Sequence, residues 1–335
     1  MKRQDHRICL ILLFFIAIPE WLAGCGNMPH KNPLDPENPD YKPPLPPTFT
    51  SIALQGDTVW FGSNGGGLVA FDGSKWRKYT TADGLPDDRI VAVVAQGANI
   101  WFTTSQSNRK ISKFDGARAT QYSTPHVISL SADDSDIWIG SENEIGTYEP
   151  ATDSLVWYQL PAGGRVLSLL WDGIGVWVAI QQKLGKVASI EIVKFTAQTR
   201  GWETHGYFPL VDGETLLAIA LDRDVLWGGT SRGDVKQLQL SEKAASRTRT
   251  GISPPGAWEA NGCIAVDDDF VWFGYGNRGL IRYEKTSGRR ESFFNGEAVY
   301  GIAVTDEHIW AVTNTGAHRY EKSSRTWTRY KYPTF

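Results

Sequence analysis

One short phrase constrains this sequence more than any other: an aliphatic residue, then Trp, then a short run of apolar or small residues. It occurs seven times, and the spacings between successive tryptophans are 41, 37, 39, 50, 45 and 38 residues. A repeat with a period of about forty residues is typical of propellers and solenoids. The tryptophans that mark the repeats are Trp60, Trp101, Trp138, Trp177, Trp227, Trp272 and Trp310.

The residues before each Trp align without gaps and predict a strand with two different faces. The residue eight positions before the Trp is always large and aliphatic, as in Ile52 and Leu169, whereas those nine and seven positions before it are mostly small. This alternation has the period of a β-strand. Small residues suit an innermost strand, where neighbouring blades converge. Third and fourth strands follow, so we predict an all-β chain that forms a seven-bladed β-propeller of four-stranded antiparallel blades.

We expect the repeated tryptophans to fill the space between blades rather than to form a row of exposed rings that stack on a ligand. Burying one Trp removes about 150–250 Å² from water, which is worth roughly 4–6 kcal/mol at about 25 cal/mol per Å². Seven such anchors can close a ring without a disulfide bond. Of the three cysteines, Cys263 falls in the column of small residues and is predicted to be buried.

The N-terminal segment predicts export and anchoring. Residues 1–24 have a basic start and a short apolar run, as in a signal peptide. The tetrapeptide Leu22-Ala23-Gly24-Cys25 resembles the bacterial lipoprotein box, which implies cleavage before Cys25 and its lipidation. Several acyl chains would give stable membrane anchoring. Gly26, in place of Asp, favours the outer membrane in Gram-negative sorting. The alternative is a secretory signal with an accidental Cys.

Residues 25–47 are predicted to be the lipidated Cys and a Pro-rich tether, and residues 48–335 the propeller. The prolines prevent a packed core and favour extended polyproline geometry. At about 3.1 Å per residue the tether would reach roughly 60 Å from the lipid surface.

The first repeat carries three motifs that point to a family. Residues 59–68 read V-W-F-G-S-N-G-G-G-L, residues 71–76 read F-D-G-S-K-W, and residues 79–86 read Y-T-T-A-D-G-L-P. This repeat resembles the propeller repeat of two-component regulators, whose pattern is W-x-G-T-x-x-G-G-L, Y-D-G-x-x-W and Y-x-x-x-D-G-L-P. The match is fair in blades two, six and seven and thin in blades four and five. In that family the repeats form periplasmic sensor domains, and they also occur in free-standing lipoproteins. We expect no kinase after the last blade, so the resemblance implies an extracytoplasmic recognition or scaffold domain.

Ligands of propellers usually lie at the mouth of the central channel. We expect Arg89, His126 and Arg165, at the start of three consecutive innermost strands, to hold an anionic group such as a carboxylate. The alternative is that they pair with nearby acids such as Asp87. Trp258, in a long insertion before blade six, is the best candidate for an exposed contact aromatic. The candidate ligand-binding residues are Arg89, His126, Arg165, Arg232, Trp258, Asn261, Asn277 and Tyr300.

Other chemistry is not favoured by the sequence. The acidic runs at 133–136 and 267–269 suggest calcium, but Asp is favoured in the short turns where they fall, so we assign no metal. We expect no His–Glu set at the mouth, because the one close pair, Glu203 and His205, falls on an outermost strand, and we assign no catalytic residue and no cofactor. The arginines late in the chain are interpreted as a solvated face. A net charge of −3 argues against nucleic-acid binding.

We therefore expect a non-catalytic binding or scaffold protein of the cell envelope, anchored to the membrane through Cys25. Its partner would be an envelope protein or a small anionic or glycan ligand. One alternative is an enzyme similar to streptogramin lyases, because the segment Ile100-Trp101-Phe102-Thr103 resembles the W-F-T repeat of those propellers. Another is a component of an outer-membrane assembly complex.

Overall fold

The computed structural model describes residues 11–12, 47–105, 110–184, 187–209, 214–232, 234–240, 249–252, 260–276 and 278–334. Seven antiparallel sheets follow one another along the chain, and each blade contains four strands that are consecutive in sequence. The prediction of a seven-bladed propeller is confirmed. Cys25 and the Pro-rich tether lie outside the described residues.

The first strand, β1 (Ile11–Leu12), precedes the blades. The strands of blades 1 to 4 are β2 (Thr48–Gln55), β3 (Thr58–Asn64), β4 (Leu68–Phe71), β5 (Trp76–Tyr79), β6 (Ile90–Gln96), β7 (Asn99–Thr104), β8 (Lys110–Phe114), β9 (Ala119–Ser123), β10 (Ser129–Ala132), β11 (Ile137–Gly140), β12 (Glu144–Glu149), β13 (Ser154–Gln159), β14 (Arg165–Trp171), β15 (Val176–Leu184), β16 (Val187–Thr196) and β17 (Gly201–Pro209). The strands of blades 5 to 7 are β18 (Leu216–Asp222), β19 (Val225–Thr230), β20 (Val235–Gln239), β21 (Arg249–Ile252), β22 (Ala260–Val266), β23 (Phe270–Tyr275), β24 (Leu280–Glu284), β25 (Arg290–Phe293), β26 (Val299–Val304), β27 (His308–Thr313), β28 (Gly316–Glu321) and β29 (Thr326–Tyr330).

Strand β1 pairs with the innermost strand of blade 3, where Ile11 is opposite Leu130. It also contacts the innermost strands β6, β18 and β22, so it lies along the central channel. Both of its residues belong to the predicted signal peptide.

The innermost strands are buried on both faces, as the alternation of large and small residues predicts. Ile52 and Leu169 are at most 2% exposed, and the small residues Ser51 and Ser168 on the opposite face are fully buried. The small column lets neighbouring blades approach: a side chain on Gly301 of blade 7 would meet Ile52 of blade 1 at 3.1 Å.

The seven repeated tryptophans lie on the second strands and are all buried, between 0% and 7% exposed. They belong to the inter-blade core, which confirms the structural interpretation. On the third strand, the residue paired with the Trp is a cation in four blades, and each cation lies over the indole ring at 4.8–5.9 Å. Such contacts are worth about 0.5–2 kcal/mol each. The four pairs are Trp101 with Lys113, Trp177 with Lys194, Trp272 with Arg282, and Trp310 with Arg319.

The interpretation of the late arginines as a solvated face is therefore wrong for Arg282 and Arg319. The Arg282 guanidinium lies over the rings of Phe270 and Trp272, at 4.5 and 5.6 Å, and only 18% of its side chain is exposed. It donates to the hydroxyl of Tyr320 in the next blade at 2.9 Å. Stacking over aromatic faces keeps this cation out of water, because the third strand turns it toward the inter-blade core.

In five of the blades, the residue five positions before the Trp connects neighbouring blades. In blade 1, the side-chain oxygen of Gln55 accepts the indole N–H of Trp60, and its amide donates to the carbonyl of Gly97 in blade 2. In blade 2, Gln96 makes the equivalent bonds to Trp101 and to the carbonyl of Ser135. In blades 3 to 6 the residue is Asp.

The acidic runs are structural turns, in agreement with their predicted place between first and second strands. Asp267 accepts the backbone N–H groups of Asp269 and Phe270 and the indole N–H of Trp272, and its carboxylate lies 3.5 Å from Lys322 Nζ of blade 7. Within the described residues, no group of three or more potential ligands could hold a metal ion.

Among the strands that the structure describes, no sheet combines those of blade 1 with those of blade 7. The short C-terminal tail adds a contact that the sequence did not indicate. Tyr332 packs against Phe49 of blade 1 with 5.1 Å between ring centroids, and its hydroxyl donates to the carbonyl of Gly66 at 3.3 Å. A Cβ atom at Gly66 would lie 1.9 Å from that hydroxyl, so a larger residue there would displace the Tyr332 side chain.

Blade 4 has an insertion relative to the other repeats, around residues 181–189, and most of it extends two strands. Strands β15 and β16 continue through it for nine and ten residues, and Gln182 pairs with Ser189 in the extended part. The ladder lengthens because both sides of the insertion supply backbone in one antiparallel register. The second long insertion, at 253–259, lies outside the described residues.

Candidate functional site

Strand direction places the candidate residues on one face of the ring. In each blade the start of the innermost strand lies beside the end of the second strand, as in the pairing of Thr48 with Asn64. The loops that enter the innermost strands and those between second and third strands therefore share a face, here called the mouth face. The opposite face, here called the turn face, carries the turns between first and second and between third and fourth strands.

A structured loop positions Arg89. A single turn of 3₁₀-helix, Thr81–Asp83, begins with a capping box between Thr80 and Asp83 and ends at Gly84. This is the D-G-L-P segment, and it buries Leu85 in the core between blades 1 and 2. The carbonyl of Asp88 then accepts two N–H groups from the loop between β3 and β4. Arg89 itself forms a β-bridge with Asn64, so its backbone is fixed from both blades.

The Arg89 side chain is 45% exposed and lies beside one carboxylate. Its Nε is 3.6 Å from Asp87 Oδ1, so the predicted alternative, pairing with Asp87, is present as a loose ion pair. Exposed ion pairs of this kind contribute about 0–1 kcal/mol, so this guanidinium remains available to a stronger acceptor.

His126 and Arg165 differ in their surroundings. His126 Nδ1 lies 3.8 Å from Glu142 Oε1, an acid in the loop between β11 and β12. Arg165 is exposed, and its side chain makes no hydrogen bond or ion pair with any residue that the structure describes. Gly164, the residue before it, has φ +98°, and a Cβ atom there would lie 2.8 Å from the carbonyl oxygen of Gln181. The backbone that leads into Arg165 therefore packs closely against that of Gln181.

The other candidates are placed less completely. Arg232 is exposed on the loop between β19 and β20. Tyr300 is the additional residue of a β-bulge between Val299 and Gly301 and is 36% exposed. Bulges re-aim side chains near functional surfaces. Asn261 belongs to strand β22 but its side chain is not described, and Trp258 and Asn277 lie outside the described residues.

The structure corrects the expectation that no His–Glu set lies on the mouth face. His318 Nε2 is 3.0 Å from Glu297 Oε2, and the hydroxyls of Thr313 and Thr315 donate to the same carboxylate oxygen. Glu297 precedes β26 and His318 lies on β28, so strand pairing brings together residues that are 21 positions apart. The pair at His126 and Glu142 lies on this face too. By contrast, Glu203 and His205 are on outermost strand β17, as predicted.

The His318 network is buried beneath the surface. His318 is 3% exposed and stacks on Phe294 at 3.9 Å between ring centroids. Burial lowers the pKa of His318, and Glu297 only partly opposes this. Burial alone would raise the pKa of Glu297, but the hydroxyl donors and His318 hold it below its usual range. The network therefore fastens the loop that enters β26 to the third strand of blade 7.

A second buried pair was also missed by the sequence reasoning. Lys236 Nζ lies 2.9 Å from Glu214 Oε2, with side chains that are 4% and 1% exposed. It joins β20 to the loop that enters β18. Removing one partner of such a pair leaves a buried charge without compensation, at a cost of about 3–5 kcal/mol. The two buried networks make the mouth face a set of fastened loops carrying exposed arginines.

Comparisons with known proteins show the fold. No family model and no curated protein matches the chain. Among solved structures, the chain is similar to the extracellular domain of the hybrid two-component system BT3049 from B. thetaiotaomicron, at 16% identity and a TM-score of 0.56, over 77% of this chain and 37% of that one. This chain thus spans little more than a third of the length of that extracellular domain.

Two further propellers match over most of both chains. YCF48 from Cyanidioschyzon merolae is 12% identical, with a TM-score of 0.58, over 82% of this chain and 95% of that one. The computationally designed Ika8 protein is 12% identical, with a TM-score of 0.56, over 84% and 86%. At these identities the likeness concerns the fold alone.

Proposed function

We propose that this chain is a non-catalytic binding protein of the cell envelope, held at the membrane by lipid on Cys25, whose mouth face recognises an anionic group. The observation that carries the proposal is the pair of exposed guanidinium groups of Arg89 and Arg165. They project from fixed backbone on one face, and their only described acidic neighbour is Asp87 at 3.6 Å from Arg89. Guanidinium groups bind carboxylates in a bidentate geometry, which favours an acidic partner.

Two features support the extracytoplasmic, anchored location. The sequence carries the lipoprotein-like box at residues 22–25 and a Pro-rich segment after it. The first repeat also resembles that of two-component regulators, and the similar domain of BT3049 is extracellular by its description. Across the described residues, the structure contains no helix that is long and apolar enough to cross a bilayer.

Anchoring is tested by metabolic labelling with an alkyne palmitate analogue. The wild-type chain should incorporate label and fractionate with membranes, whereas Cys25→Ser should do neither. Membrane fractionation of Cys25→Ser at the wild-type level would contradict the lipid anchor.

Recognition is tested by chemical cross-linking in intact cells, followed by co-purification and mass spectrometry. We expect one stoichiometric envelope protein that is lost in the triple variant Arg89→Ala/Arg165→Ala/Trp258→Ala. The matched control is Arg118→Ala/Arg200→Ala, which removes two exposed arginines from the turn face. Retention of the partner by the triple variant would exclude the mouth face as its docking surface.

If no protein co-purifies, the same variants should be tested against acidic oligosaccharides, the small-ligand form of the proposal. A magnesium-dependent lyase assay then tests the alternative in which the chain is an enzyme. A partner that is an outer-membrane assembly protein would identify the chain as a component of that complex.

A further inference from the structure

A groove crosses the turn face between blades 6 and 7, on the opposite side of the ring from the mouth. Its volume is about 860 Å³, within the range of about 300–1,000 Å³ that is usual for small-molecule sites. It is lined by the two turns of blade 6 and the two turns of blade 7. It goes beyond the function proposed above, which concerns the other face.

The floor of the groove is fixed by bonds that cross from one blade to the other. Arg282 of blade 6 donates to the Tyr320 hydroxyl of blade 7, and Lys322 of blade 7 lies 3.5 Å from Asp267 of blade 6. Trp272 is fully buried beneath them. The groove is therefore formed before any ligand arrives, and little ordering is required on binding.

Charge is separated along the groove by the topology of the blades. The turns between first and second strands lie nearer the ring axis, and they contribute Asp269 and Asp306 to the lining. The turns between third and fourth strands lie nearer the rim, and they contribute Arg289 and Arg325. Glu284 and Glu291 also line the outer part, but Glu284 accepts from the Ser287 hydroxyl and Glu291 is paired with Arg282. The four unpaired side chains therefore place negative charge at the inner end and positive charge at the outer end.

These four side chains do not neutralise one another. Among the described residues, none of them makes a side-chain hydrogen bond or an ion pair. Arg325 is fixed by its turn, with φ +57° and its N–H bonded to the carbonyl of Glu321 at 2.8 Å. The groove thus presents separated carboxylates and guanidinium groups to whatever enters it.

We propose that this groove binds a short zwitterionic peptide, with its ammonium group at Asp269 and Asp306 and its terminal carboxylate between Arg289 and Arg325. A purely anionic ligand would meet the two carboxylates at the inner end, and a purely cationic one would meet the two guanidinium groups at the rim. Like charges brought together repel, so a molecule with both charges at its two ends fits best. Arginine pairs also favour a carboxylate over a single weak acceptor.

The test measures binding of defined peptides to the full lipidated chain in detergent at low salt, by isothermal titration calorimetry. The probe is an equimolar set of tetrapeptides that begin with Lys and end in a free carboxylate. We expect saturable binding that weakens at least about tenfold when the carboxylate is amidated, and at least about tenfold when all amino groups are acetylated. No saturable binding at millimolar concentration would overturn the proposal.

Variants locate the site. Arg289→Ala/Arg325→Ala should weaken binding of the free-carboxylate set at least about tenfold. The matched control is Arg200→Ala, because Arg200 occupies the same turn position in blade 4 with φ +51°. The mouth-face variant Arg89→Ala/Arg165→Ala should bind the peptides normally, so failure of this proposal and failure of the mouth-face proposal are distinguishable.

A variant that reverses the peptide preference separates loss of binding from loss of folding, because an unfolded protein would bind neither peptide set. Arg289→Glu/Arg325→Glu should bind the amidated set more tightly than the free-carboxylate set, the opposite of the wild type. An unchanged preference in this variant would overturn the assignment of the rim arginines. Equal binding of acetylated and free-amine peptides by the wild type would overturn the zwitterionic ligand, because the site would then be a simple anion site.

Discussion

The two faces of the ring use polar residues differently although the same strands supply both. On the turn face, Asp267 and Gln96 are bonded within their own blade and across to a neighbour. On the mouth face, the exposed side chain of Arg165 makes no bond to a described residue, and the side chain of Arg89 has one loose neighbour, Asp87. The difference teaches that the turn face bonds its polar side chains from one blade to the next, whereas the mouth face fastens its loops by buried pairs within a blade and leaves two arginines exposed. The groove between blades 6 and 7 is where the turn face departs from this pattern.

The largest expected effect comes from the core beneath both faces. Trp138→Ala should lower the free energy of unfolding by about 3–5 kcal/mol, because the ring is 1% exposed and stacks on Trp171 of the next blade. Denaturant unfolding followed by fluorescence measures this. A decrease in the free energy of unfolding of less than about 1 kcal/mol would show that the burial of Trp138 contributes little to the stability of the ring.

Removing an inter-blade carboxylate should have a smaller effect. Asp267→Ala leaves the buried indole N–H of Trp272 and two backbone N–H groups without their acceptor, at a cost of about 1–3 kcal/mol. Asp269→Ala is the control, since that side chain has no described partner, and it should stay within about 0.5 kcal/mol. If both substitutions lowered the free energy of unfolding equally, the hydrogen bonds of Asp267 would not distinguish its contribution to stability from that of Asp269.

The buried mouth-face network should make stability depend on pH. Burial lowers the pKa of His318, so between its folded value and about 6.5 the unfolded chain binds a proton that the folded chain does not. Stability should therefore fall as the pH drops below about 6.5. The lowered pKa of Glu297 adds a further loss in more acidic solution, below about 4.5.

The pH effect is measured as the slope of the urea midpoint against pH, between neutral pH and about pH 5. His318→Gln should show a shallower slope than the wild type over this window. His205, whose pKa burial also lowers, continues to contribute in the same direction. Identical slopes would place the titrating groups elsewhere.

The smallest effect on stability is expected at the proposed recognition surface. Arg89→Ala/Arg165→Ala should change the free energy of unfolding by no more than about 0.5 kcal/mol, because exposed side chains away from buried networks contribute little. The same double variant carries the binding test described above. A loss of several kcal/mol would show that these arginines belong to the ring's structure.

The fold was predictable because its signal is local. Alternation within the innermost strands and the position of each Trp depend on residues a few positions apart, and both faces of those strands are buried. The sequence also contains a second aligned set of residues with a structural role, which the motif analysis did not use. The residue five positions before the Trp is polar in every repeat, and its members are Gln55, Gln96, Asp133, Asp172, Asp222, Asp267 and Thr305.

The contacts between blades were not predictable in the same way. Which residue meets Glu297 depends on how a loop lies against a third strand, and a single-sequence pattern carries no information on that geometry. Arg282 illustrates the point, because alternation along an outer strand cannot distinguish a solvated arginine from one that stacks between two blades. Arg89 and Arg165 lie on one face because strand direction alone determines that face, and their role in binding stays a prediction.

The contact between Tyr332 and Gly66 has a consequence for how the ring is made. These residues are 266 positions apart, yet they meet across the seam between the last blade and the first. Within each blade the strands are consecutive in sequence, so blades can form one after another as the chain emerges, whereas closing the seam is the contact of highest sequence separation. Until blade 7 and Tyr332 have folded against it, blade 1 covers Phe49 only with its own rings, Phe61 and Trp76. The nascent protein is then an open arc whose first blade exposes an apolar surface.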